Sequence, residues 1–97
     1  MAEFADINSV YKTDKKLNST EMLRAIKFAL TSEFEAIQIY QKIMESTDDK
    51  KIIGVLSEIT NDEKHHAGGL YKLLTILSSN DAKEYEYGAE ETVENYK

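Results

Sequence analysis

From Leu23 onward, apolar residues recur at steps of three and four through Ile26, Leu30, Ile37, Tyr40 and Met44. That repeat predicts an amphipathic helix running to about Glu45. Asn18, Ser19 and Thr20 offer side chains to cap its start, and Glu21 follows Asn18 at capping-box spacing. Residues 46–49 form a short polar break, in which Thr47 or Asp48 is placed to cap a second helix. A second stripe, Ile52, Leu56, Ile59, Leu70, Leu73 and Leu77, predicts that helix from about Asp49 to Ser78. Each helix is about 28–30 residues long, roughly 42–45 Å. So short a connection makes the two antiparallel neighbours.

Residues 1–17 are polar without a sustained period and read as an arm before the hairpin of residues 18–79. Residues 80–97 are acidic and carry Tyr85, Tyr87 and Tyr96; they predict a short, partly helical segment broken at Gly88. Two long helices cannot bury both of their apolar stripes against each other, and long exposed stripes mark interfaces. The pattern therefore predicts an all-α fold in which two hairpins pair as a homodimer to make a four-helix bundle.

Composition narrows the chemistry. The 97 residues fit one domain. Proline is absent and charged and aliphatic residues abound, as in helical proteins. The absence of cysteine excludes disulfides, Cys-ligated zinc, Fe–S clusters and a thiol nucleophile. A net charge of −6 with no Lys/Arg stripe argues against a nucleic-acid partner and in favour of cations. Residues 1–6 lack a basic stretch followed by an apolar one, so no signal peptide is expected. No apolar run approaches membrane-spanning length, and the cytoplasm is the expected location.

The candidate chemistry sits where the apolar stripes are interrupted. The first stripe steps from Leu30 to Ile37 through Glu33; the second steps from Ile59 to Leu70 through Glu63 and His66. Glu33 lies 14 residues before Thr47, and Glu63 lies 15 after Asp48. At about 1.5 Å per residue both are about 21–22 Å from the turn, so the three ionisable groups fall at one height on facing helices. Glu63 and His66, three apart, share a helix face. An ionised carboxylate in an apolar seam costs several kcal/mol unless compensated, and a metal cation compensates it well. Carboxylate oxygen with imidazole nitrogen suits iron, manganese or zinc rather than soft copper. Di-metal sites in helical bundles take one Glu from each of two helices and Glu-x-x-His from each of the other two. One copy supplies half of that set, and a twofold dimer supplies all of it.

Each feature alone has a blander explanation. An isolated Glu-x-x-His is more often a surface pair, and a Glu in a helical stripe more often reaches out to solvent. Three such residues at one height in both stripes favour the metal. His65 points about 100° away from His66 and is expected to face solvent. Glu35 is either a solvated residue or a waypoint for incoming cations, the former favoured by helix geometry. Tyr40, two turns along from Glu33, reads as core whose hydroxyl is placed as a hydrogen-bond donor behind the ligands.

The stretch Ser32-Glu33-Phe34-Glu35-Ala36-Ile37-Gln38-Ile39-Tyr40, with Asn61-Asp62-Glu63-Lys64-His65-His66-Ala67 further along, resembles the encapsulated ferritins over roughly residues 17–90. These are short ferritin-like proteins held inside encapsulin nanocompartments. The resemblance implies a ferritin-like hairpin with a short C-terminal helix, assembled as dimers in a ring-shaped decamer. It implies oxidation of Fe(II) to Fe(III) at a site across the dimer interface, with the encapsulin shell rather than the protein itself holding the mineral. By the same resemblance Glu33, Glu63 and His66 match the iron ligands, Glu35 an acidic residue on the path to the site, and Tyr40 the tyrosine close to it. Some members carry a further carboxylate where this chain has Ser32, and no shell-targeting peptide is recognised after Tyr96.

Residues and resemblance together point to a ferroxidase acting on Fe(II) and O2, with two irons per dimer and manganese, zinc or calcium as stand-ins. Glu33 and His66 would be terminal ligands and Glu63 of each protomer would bridge. Two alternatives stay open. One is peroxide or oxygen scavenging of the rubrerythrin kind, though the missing cysteines remove a built-in rubredoxin site. The other is a non-enzymatic helical adaptor whose seam charges pair with Lys27 or Lys64.

Overall fold

A computed structural model gives the structure of the protein and describes residues 16–97. The described residues form three helices and no strand: α1 (Ser19–Glu45), α2 (Lys50–Leu77) and α3 (Ser79–Tyr96). Most of the arm expected over residues 1–17 lies outside them.

The capping box that opens α1 is complete. The Glu21 N–H donates to Asn18 Oδ1 at 2.9 Å, and the Asn18 N–H donates to Glu21 Oε1 at 3.0 Å. The cap of α2 is Asp49 rather than Thr47 or Asp48: its carboxylate accepts from the N–H groups of Lys51 at 2.9 Å and Ile52 at 3.4 Å. Thr47 is used one step earlier, its hydroxyl accepting from the Asp49 N–H at 3.1 Å. Three adjacent capping residues compete here, and the local turn selects the last.

On α1 the predicted stripe is the half-buried face, from Leu23 to Met44. On α2 the line of closest packing is rotated from the predicted stripe. The buried residues are Thr60, Ala67 and Leu74, seven apart, while Ile52, Leu73 and Leu77 remain exposed. The apolar surface of α2 is wider than one partner helix covers. The buried Thr60 hydroxyl donates to the Leu56 carbonyl at 2.7 Å and so satisfies itself.

Ser78 alone separates α2 from α3, with φ −136° and ψ 95°. It closes α2 through its N–H to the Leu74 carbonyl and opens α3 by accepting the Asp81 N–H on its hydroxyl at 3.2 Å. Two contacts tie α3 to the hairpin among the described residues: a Lys27–Asp81 ion pair of 3.2 Å, and Tyr71 stacked on Tyr85 with ring centres 6.0 Å apart. α3 is longer than expected and runs unbroken through Gly88. A mid-helix glycine costs only about 1 kcal/mol relative to alanine, too little to end a helix alone. Gly88 takes no positive φ, and its carbonyl accepts from the Thr92 hydroxyl at 2.8 Å.

The molecule is open. Its principal extents are 48 × 45 × 17 Å. A 28-residue helix accounts for about 42 Å, so the second long dimension requires α3 to project sideways. The radius of gyration, 16.8 Å, exceeds the about 12 Å of a compact domain of this length. The accessible surface, 7750 Å², exceeds the about 5,700 Å² expected of a compact monomer of 11.1 kDa. No helix among the described residues is long and apolar enough to cross a membrane.

Two substitutions test the helix ends and the glycine. Asn18→Ala removes the capping box and should cost about 1 kcal/mol, lowering the melting midpoint by about 4–8 °C in circular dichroism. Asn18→Asp should not. A Cβ at Gly88 meets nothing within 4 Å. Gly88→Ala should therefore slow amide exchange in α3 about fivefold, the equivalent of about 1 kcal/mol.

Candidate metal centre

Glu33 stands midway along α1; Glu63 and His66 stand one turn apart on α2. The hairpin brings all three together, as their equal distance from the turn predicts: one ligand atom from each lies within 4.8 Å of the other two. His66 Nδ1 is 3.6 Å from Glu33 Oε1 and 3.9 Å from Glu63 Oε2. The carboxylate side chains are mostly shielded, 21% exposed for Glu33 and 19% for Glu63, whereas the imidazole is 57% exposed. The cluster is thus closed on the hairpin side and open outward through His66.

These separations are too long for hydrogen bonds. Among the described residues none of the three side chains makes one. They do suit a shared ion. Two ligand atoms each about 2.1 Å from one metal are about 3.0 Å apart at a right angle and about 4.2 Å apart when opposite. Two ionised carboxylates at such range repel by about 3 kcal/mol at an effective dielectric near 20. One imidazolium brings a single positive charge against two negative ones. A divalent cation balances both, and it takes oxygen and nitrogen donors together.

The other residues singled out in the sequence fall around this cluster without joining it. Glu35 is half-buried on α1 and outside the cluster. Tyr40 is half-buried and about 10.5 Å along the α1 axis from Glu33. Among the described residues, its hydroxyl makes no hydrogen bond to the three side chains. Ser32 is half-buried and His65 exposed. The lysines do not neutralise the seam: Lys27 pairs with Asp81, and among the described residues Lys64 makes no ion pair with Glu33 or Glu63. That removes the contacts on which the adaptor reading rests.

Known proteins place the fold in context. The sequence model of the rubrerythrin family matches residues 24–97. The encapsulin nanocompartment cargo protein EncC of Myxococcus xanthus is 28% identical over 83 residues, covering 86% of this chain and 61% of that protein. A ferritin-like–encapsulin shell fusion protein of Pyrococcus furiosus is 27% identical over 81 residues, 84% of this chain and 24% of that protein. The chain therefore spans less than two thirds of the length of either. Among solved structures, the encapsulated ferritin domain from Pyrococcus furiosus superposes with a TM-score of 0.81 at 26% identity, over 89% of this chain and 88% of that one. The chain belongs to the rubrerythrin family, and its fold is that of the encapsulated ferritins.

Proposed function

We propose that the protein oxidises Fe(II) to Fe(III) at a two-iron site shared between two copies, as cargo of an encapsulin compartment in the cytoplasm. The main support is the convergence of Glu33, Glu63 and His66 within 4.8 Å on an outward-opening face. One copy holds one Glu from α1 and one Glu-x-x-His from α2, which is half of a bundle di-metal set. A twofold partner laid over that face brings the other half and covers the exposed Ile52, Leu73 and Leu77. The surface in excess of a compact monomer is of the order that a stable dimer buries. The names of the relatives support the compartment, and the family supports iron.

Iron bound there supplies the electrons, one from each Fe(II), that reduce the oxidant. The protein's part is to position and to neutralise. Glu63 of each copy would be shared between the two irons. Glu33 and His66 would each hold one iron as terminal ligands, the imidazole presenting Nδ1 to the cluster. Leu30, Ile37, Ile59 and Leu70 flank the ligands along the seam, half-buried in one copy, and a partner laid over that face would shut water out. By the resemblance to the encapsulated ferritins, half-buried Glu35 would relay incoming cations and half-buried Tyr40 would donate its hydroxyl behind the ligands. Peroxide as the preferred oxidant is the second reading, favoured by the rubrerythrin match.

Glu63→Ala and His66→Ala should each reduce Fe(II) oxidation to the rate in buffer, followed by the ultraviolet absorbance of Fe(III), with the helical circular dichroism retained. Oxidation surviving both changes sinks the site. Parallel assays with O2 and H2O2 separate the two oxidant readings, and a large excess of peroxide-driven rate selects scavenging. Mn(II) or Zn(II) at about a hundredfold over its dissociation constant should stabilise the protein by about 2.7 kcal/mol through mass action. That rise in melting temperature should vanish in Glu63→Ala.

A further inference from the structure

Oxidation of iron by O2 leaves peroxide behind, and this chain has few side chains to receive an oxidant. It holds no cysteine and no tryptophan. Its three methionines take up oxygen as sulfoxides, a two-electron change that leaves no radical. Tyrosine is then the side chain from which a single electron is most easily drawn. The sequence has six, and two of them touch.

Tyr71 on α2 and Tyr85 on α3 stack with ring centres 6.0 Å apart and planes 29° from parallel. Among the described residues no other aromatic pair is in contact. Packing alone accounts for such a stack, but its place in the molecule adds to it. Tyr71 lies five residues beyond His66, about 7.5 Å along the α2 axis. It points about 140° away from His66, so it stands near the ligands without being one. Tyr71 is 47% exposed and Tyr85 half-buried, so a phenolic proton has water to leave to. The pair also joins α3 to the hairpin, where only the Lys27–Asp81 ion pair assists it among the described residues. Beyond Tyr85 every residue of α3 is exposed.

We propose that Tyr71 and Tyr85 are a modification site, where oxidant from the iron centre couples the two rings into a dityrosine that fastens α3 to α2. The step rests on the iron reading for its oxidant. Two Fe(II) give one electron each to O2, which takes two protons and leaves as H2O2. Once Fe(II) is spent, that peroxide takes one electron and one proton from each phenol and becomes two waters. The two phenoxyl rings join through a carbon ortho to each oxygen. The hydrogen on each of those carbons moves to the oxygen, restoring both hydroxyls. The bond closes a loop between residues 71 and 85, which removes conformational freedom from the unfolded chain. Spent iron chemistry thus holds α3 in place, and an oxidant that would attack elsewhere is consumed at one pair.

Full-length protein loaded anaerobically with one Fe(II) per chain, then given O2, tests the step. The Fe(III) absorbance is followed, and the same sample is digested and read by mass spectrometry. One linked species is expected, joining the Tyr71 and Tyr85 peptides, two hydrogens lighter than their sum and with the blue fluorescence of dityrosine. One filling makes one peroxide per two chains, so at most half of the chains should be linked, and a second filling should raise that share. In a mixture of 14N- and 15N-labelled protein the link should stay within one isotope. Fe(III) formed without the link overturns the proposal and leaves the iron reading standing. Links that instead join Tyr87 or Tyr96 of different copies also overturn it. No Fe(III) at all sinks the iron reading, and the proposed source of oxidant with it. Tyr71→Phe should abolish the linked peptide and its fluorescence while Fe(II) oxidation proceeds at the parent rate; fluorescence that survives the change overturns the assignment. Amide exchange in α3 should be slower in linked protein than in Tyr71→Phe treated alike. Equal rates would show that the bond fastens nothing.

Discussion

Two carboxylates held four-fifths out of solvent, in the middle of an otherwise apolar hairpin seam, are the constraint to which the other features answer. They repel each other, make no hydrogen bond among the described residues, and face one imidazole that offers at most a single positive charge. A leucine at either position would pack better. Their presence makes sense when a cation shares the space, and the spacing of the ligand atoms suits one. The nearly equal distances of Glu33 and Glu63 from the turn serve that arrangement by bringing the two to one height. The capping box at Asn18 and the Asp49 cap fix where each helix begins and therefore where those heights fall.

The same constraint explains why the chain looks unfinished. A hairpin that opens its cluster outward through His66 cannot also enclose it. Only Thr60, Ala67 and Leu74 are buried among the described residues, and apolar side chains flank the cluster without cover. In a larger bundle protein one chain supplies all four helices. Here two hairpin helices are available, and the proposed second copy would both close the site and complete the core. α3 projects from the hairpin with Val93 and Tyr96 uncovered.

Much of the fold and of the cluster was legible in the sequence because it depends on counting. Helical rise converts residue number into height, so the coincidence of Glu33, Glu63 and His66 could be computed before any side chain was placed. The stripe of α1 was legible for the same reason. What depends on competition between neighbours was not. Thr47, Asp48 and Asp49 are all competent caps, and the turn chose the last. The α2 stripe is broad enough that the line of contact settled on Thr60, Ala67 and Leu74 instead of its richest apolar edge. Gly88 reads as a breaker in one dimension, yet without a left-handed turn it is simply a weak helix position. The contacts that seat α3, Lys27 with Asp81 and Tyr71 with Tyr85, join residues with no periodic relation, and so no pattern announces them.

Whether one copy holds half of a two-metal site is decided by native mass spectrometry with metal analysis, on protein titrated anaerobically with Fe(II). A shared site requires saturation at one iron per chain, in even-numbered assemblies that grow or tighten as iron binds. A monomer that takes up no iron would contradict it, leaving a helical hairpin whose seam carboxylates have some other purpose.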